Sequence, residues 1–103
     1  MSPAVFQWSV VMSASNELQC MIGHDVVVDV AAPFVYVGTL RSAGDAFLVL
    51  TDADAHDLRD SESTREVYVL RSARDGIRRN RKEVSVRWDI VLSVSRLSDV
   101  VDH

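Results

Sequence analysis

Cysteine is almost missing from this chain of 103 residues. Cys20 stands alone, so no disulfide can form within one copy, and a cytoplasmic setting is the simplest expectation. It lies among apolar neighbours in "LQCMIG" with no His or Asp beside it, which reads as a buried structural thiol rather than a nucleophile. Long hydrophobic runs are lacking too, since none approaches the ~20 residues that cross a bilayer. The stretch "MSPAVFQWSVVMSAS" has no basic flank, which argues against a secretion signal. "GIRRNRK" offers only Gly76 and no Gly-Lys-Ser/Thr, so it is no phosphate-binding loop. No Ser/His/Asp or Cys/His spacing suggests nucleophilic catalysis, and there is no internal repeat. The expectation is a single non-enzymatic domain with no cofactor, no membrane partner and no small-molecule substrate.

Apolar residues are 48% of the chain, enough for a modest globular core. The net charge of −4 conceals an asymmetry. Residues 45–66 hold seven acids against Arg59 and Arg65, a net −5. Residues 71–87 hold Arg71, Arg74, Arg78, Arg79, Arg81, Lys82 and Arg87 against Asp75 and Glu83, a net +5. Adjacent blocks of opposite sign have two readings. The basic block can be a nucleic-acid face, or the two blocks can neutralise each other within or between copies, as in a protein-interaction scaffold.

Periodicity supplies the elements. Residues 1–14 lack a clean pattern and read as a loose or strand-like extension. "SNELQCMIG" offers Ser15 or Asn16 as an N-cap and Gly23 as a stop, which makes a short helix. "DVVVDV" alternates, with Val26, Val28 and Val30 on one face and Asp25, Val27 and Asp29 on the other, so it is a strand. "FVYVGTL" and "AFLVLTD" are two more, and Gly38 marks a bend in the first of them. "EVSVRW" and "DIVLSVSRL" supply the fourth and fifth. In the charged middle, Ser63 and Glu66 form a capping box, Val67, Leu70 and Ile77 have helical spacing, and Gly76 is a stop. A helix is expected over 63–74.

A short helix followed by five short strands, with a glycine bend in the second, resembles the Sm-like (LSm) family. The matching residues are "IGHDVVVDV", "YVGTL", "FLVLTDA" and "VRWDIVLSV", the last standing where the family has an Ile-Arg-Gly-Asp-Asn-Val type signature. The resemblance covers about residues 15–55 and 83–97. It implies a mainly β fold: a short N-terminal helix and a strongly bent five-stranded SH3-like barrel in one domain, 15–103, with an insertion at 56–82. It also implies a homo-oligomeric ring in which the fourth strand of one copy pairs with the fifth of the next. The sequence agrees, because those two strands carry no proline and little lysine to guard an edge.

The family holds RNA near the pore with an Asp and an Asn from the loop between strands two and three, and with an Arg from the signature. The Arg transfers to Arg87. Counting from either side places the Asp at Gly44 or Ala43, next to Asp45, and the Asn at Leu48 or Phe47. No asparagine stands at either position, so base preference is expected to be weak. Trp88 replaces the glycine after the arginine; it either packs on the barrel or stacks on a base. RNA contacts are expected at Arg71, Arg74, Arg78, Arg79, Arg81, Lys82, Arg87, Asp45 and Trp88. "DADAHD" places Asp52, Asp54 and His56 at alternate positions where they could hold a divalent metal, but the calcium-loop glycine is absent and a solvated acidic strand end is favoured.

Overall fold

Valine alternation and one glycine determine most of the architecture. The structure, a computed structural model, describes residues 17–60 and 63–102. The extension at 1–14, the caps at Ser15 and Asn16, and His103 lie outside the described residues. The first helix, α1, is seen over residues 17–19 and turns out through Gly23, whose φ of +89° is a conformation that favours glycine. Met21 and Ile22 pack against the barrel core, but Cys20 is exposed, which corrects the buried thiol expected from its neighbours. The short turn swings its apolar residues inward after the cysteine has passed.

Five strands follow: β1 Asp25–Val30, β2 Phe34–Ala43, β3 Phe47–Asp57, β4 Arg81–Arg87 and β5 Val91–Arg96. They form one antiparallel sheet in the order β4-β3-β2-β1-β5, which leaves β4 and β5 as the outer strands. The sheet bends at Gly38. There the β2–β3 register shifts between Val37 and Thr39, and a Cβ on Gly38 would meet Ala53 Cβ at 2.7 Å and its Cα at 2.8 Å. Only a residue without a side chain lets the two strands approach this closely.

The bend closes the sheet around Val26, Val28, Val30, Leu40, Leu48, Leu50, Ala53 and Val86, all buried. A second cluster lies on the opposite face and contains Val27, Val35, Val37, Tyr68 and Leu97. Val27 thus is not a solvent-side residue with Asp25 and Asp29, because the inserted helix covers it.

That helix, α2, spans Arg65–Asp75. Its N-cap is Thr64, whose hydroxyl accepts a hydrogen bond from the Val67 N–H at 3.2 Å, so the cap falls one residue after the expected Ser63. Gly76 ends it at φ +99°. The buried side chains are Tyr68 and Ser72, four residues apart, while Val67 is 45% exposed. The expected stripe of Val67 and Leu70 is therefore rotated by about one position. The strand ends also shift. β4 stops at Arg87, and Trp88–Ile90 form a 3-10 turn before β5.

Candidate nucleic-acid interface

The expected binding residues divide between the two ends of β4. At its C-terminal end, Arg87 stands opposite Phe47 at the start of β3. The loop between β2 and β3 is closed by Gly44 N–H donating to the Phe47 carbonyl at 2.9 Å. Trp88 pins this loop to β4: its backbone N–H donates to the Ala46 carbonyl at 3.0 Å, and its indole Nε1 donates to the Gly44 carbonyl at 2.7 Å. The indole also packs against the barrel cluster. These contacts favour the packing role for Trp88, because its one polar atom is already used.

Asp45 lies exposed in the same loop, and Arg87 is exposed and paired with Asp89 at 2.7 Å. An exposed pair of this kind contributes about 0–1 kcal/mol, so the guanidinium can exchange Asp89 for a phosphate at little cost. Phe47 is 45% exposed, whereas Leu48 is wholly buried. Of the two positions matched to the family Asn, then, only Phe47 faces outward. Sequence reasoning missed Phe47 as a contact, although its alternation with buried Leu48 and Leu50 was visible. A solvent-facing ring beside an arginine can stack on a base.

The remaining bases lie at the other end of β4. Arg81 and Arg87 are separated by six strand rises, roughly 20 Å, so the basic block is not one surface with Arg87. The chain reaches β4 along β3, guided by Asn80. Its side-chain carbonyl accepts from Ala55 N–H at 3.0 Å, its amide donates to Ala55 O at 3.3 Å, and its backbone N–H donates to Ala53 O at 2.8 Å. The side chain imitates a strand residue and extends the ladder by one step.

Several of these bases are occupied. Arg74 pairs with Asp102 at 2.7 Å, and Arg79 bonds the Asp52 carbonyl and lies 3.8 Å from Asp25. Arg81 donates to the Asn80 carbonyl at 3.1 Å. Arg71, Arg78, Arg81 and Lys82 are exposed and make no ion pair among the described residues. Among the described residues no ion pair joins an acid of 45–66 to a base of 71–87.

The alternate-residue metal candidates are separated. Asp52 has φ +48° and is exposed, which breaks the alternation with Asp54 and His56. Asp54 is 4% exposed and accepts a hydrogen bond from the Tyr68 hydroxyl at 2.5 Å. His56 stacks on the Tyr68 ring, with centroids 3.9 Å apart and planes within 5°. Burial, then the bond to Asp54, pushes the Tyr68 phenol well above its ordinary pKa. Among the described residues no group of three potential ligands could hold a metal ion. Farther along β3, the Arg59 guanidinium bonded to Asp57 holds that carboxyl below its usual pKa.

No protein-family model matches the chain, and no curated protein matches it by sequence. Solved structures do match. A Pyrococcus abyssii Sm protein in complex with a uridine heptamer superposes with a TM-score of 0.55 and 20% identity, covering 79% of this chain and 93% of that one. A heptameric archaeal Sm protein gives a TM-score of 0.53 and 27% identity over 79% of this chain and 96% of its own. The P. aerophilum SmAP1 heptamer gives 0.53 and 27%, over 79% and 88%. Also among the described residues, no helix is long and apolar enough to cross a membrane.

Proposed function

We propose that the chain, which shares the fold of the archaeal Sm proteins, is an Sm-like protein that forms a closed homo-oligomeric ring and binds RNA without catalysing a reaction on it. The carrying observation is the juxtaposition of Arg87, exposed Phe47 and the loop of Asp45 at one end of the β3–β4 pair. It occurs on a fold shared with a protein solved with a uridine heptamer. Arg87 takes a phosphate or base edge, and Phe47 supplies a stacking surface that does not require the missing asparagine. Selectivity among bases is then low, because stacking accepts every base.

Ring closure follows from the two outer strands. Among the described residues β4 and β5 each have one edge with no neighbouring strand, and Leu92 on β5 is 67% exposed. Pairing β4 of one copy with β5 of the next removes both edges. Arg71, Arg78, Arg81 and Lys82, which make no ion pair among the described residues, then repeat around the ring as a second positive belt, away from Arg87. This belt gathers RNA through phosphate contacts and makes binding steeply salt-dependent. A single cysteine, which can form no disulfide within one copy, suits a cytoplasmic ring.

Light scattering and oligouridylate binding, each measured at two salt concentrations, test the reading. A ring with salt-sensitive affinity that Arg87→Ala weakens supports it. Leu92→Glu should yield folded monomers. A stable monomeric wild-type chain refutes ring closure, and a ring with no affinity for RNA at low salt leaves the protein-scaffold role instead.

A further inference from the structure

A hollow of about 380 Å³ lies between α2, β3 and the segment that leads into β4. Asp54 and His56 line it from β3, Tyr68, Arg71 and Asp75 from α2, and Arg78 from the connecting segment. The RNA-binding reading uses Arg71 and Arg78 only as charge on a belt and gives the hollow no role.

Its chemistry is uneven in a way that packing alone does not explain. One wall is fully arranged: the Tyr68 hydroxyl is fixed on Asp54, and His56 is held flat on the Tyr68 ring. Yet His56 Nε2 is buried and has no hydrogen-bond partner among the described residues. A buried polar atom left unsatisfied is unfavourable, and a ligand that settles against this wall can supply the missing partner. At the rim, Arg71 and Arg78 make no ion pair among the described residues, although Asp75 lines the same hollow. Two guanidinium groups with no carboxylate partner among the described residues are suited to a phosphate, to which each presents a planar fork of donors. Asp54 and Asp75 offer acceptors, and a nucleotide carries donors in its ribose hydroxyls and its base. The volume is at the low end of the range for ligand pockets, about 300–1,000 Å³, and so fits one small molecule rather than a chain.

We propose that this hollow binds a single ribonucleoside monophosphate unit, with the phosphate at Arg71 and Arg78 and the nucleoside donors at Asp54 and Asp75. The unit is a free nucleotide or one residue of an RNA strand. The site is built by the insertion and is separate from Arg87, since Arg78 and Arg87 flank opposite ends of β4. It stands without ring closure, so its test can fail or succeed independently of the ring.

The experiment is an NMR titration of the full-length protein with uridine 5′-monophosphate, adenosine 5′-monophosphate, uridine and inorganic phosphate, followed by a hexauridylate. Either monophosphate should saturate and shift the signals of His56, Tyr68 and Arg71. Uridine and phosphate alone should bind at least about tenfold more weakly, and Arg71→Ala combined with Arg78→Ala should weaken the nucleotide by about tenfold or more. His56→Phe keeps the ring stack, removes Nε2 and should also lower affinity. If the hexauridylate shifts the same signals, the unit can belong to RNA; if only the mononucleotides do, the ligand is a free nucleotide. Absence of saturation by either nucleotide up to about 10 mM, a range that spans weak complexes, overturns the proposal. So do shifts confined to residues 44–47 and 87–89. Nucleotide binding in the hollow with no affinity for oligouridylate at residues 44–47 and 87–89 would refute the pore reading and leave this one standing.

Discussion

Tyr68→Phe isolates one hydroxyl that docks the insertion on the barrel. The phenyl ring keeps the stack on His56 and the packing against Val27, Val35 and Val37, so the apolar contribution is unchanged. What is lost is the 2.5 Å bond to Asp54, in a pair where Tyr68 is 6% and Asp54 4% exposed. Hydrogen bonds to charged groups contribute about 1.5–3 kcal/mol, and a buried carboxylate deprived of its donor sits at the upper part of that range. We expect a loss of about 2–3 kcal/mol, which at about 4–8 °C per kcal/mol lowers Tm by roughly 8–24 °C. Urea unfolding at one fixed protein concentration reads this, because assembly makes apparent stability depend on concentration.

A double-mutant cycle with Asp54→Ala should give a coupling of about 1–2 kcal/mol. The alkaline side adds a second reading. The Tyr68 phenol is raised in the folded chain, so the native state keeps a proton that the unfolded chain loses near pH ~10. This contribution is fully present below that pH and is lost as pH rises through the folded pKa. The stability gap between the wild type and Tyr68→Phe should therefore narrow above pH ~10. A Tyr68→Phe protein within about 0.5 kcal/mol of the wild type, the range of neutral surface changes, would refute the reasoning.

Gly38→Ala should destabilise by about 1–3 kcal/mol in the same assay, because its Cβ meets Ala53 at 2.7 and 2.8 Å and the β2–β3 pair must separate. Trp88→Phe keeps most of the ring packing but deletes the bond to the Gly44 carbonyl; a loss of about 1 kcal/mol and faster hydrogen exchange at the Gly44 and Trp88 amides are expected. Arg87→Ala should leave urea stability within about 0.5 kcal/mol, since its partner Asp89 is equally solvated, while reducing oligouridylate affinity. Arg59→Ala should raise the Asp57 carboxyl toward its usual range in an NMR titration. The native contribution of that depressed carboxyl is present above the ordinary carboxylate pKa and is lost as pH falls through the folded value, so the variant should be less sensitive to acid.

The strands were legible because period-two valine patterns and a bend at Gly38 are local signals: β1 is the "DVVVDV" segment itself, and Gly38 sits where β2 bends. The stop at Gly76 was local as well. The inner barrel cluster follows, since Val26, Val28 and Val30 must face one way once β1 is a strand. The second face of β1 was not legible. Val27 reads as solvent-side until α2, about 40 residues later in the sequence, lies across it. The rotation of α2 was likewise a tertiary outcome: Tyr68 turns inward because Asp54 and His56 are there to receive its hydroxyl and ring, and Val67 is turned out. The basic residues form one block in the sequence, but a strand carries its two ends apart by about 3.3 Å per residue, so folding separates Arg87 from Arg71 and Arg78. Spacing along the chain can assign a strand or a cap; which charges end up paired depends on residues that the sequence keeps far away, as Asp102 does for Arg74 and Asp25 for Arg79.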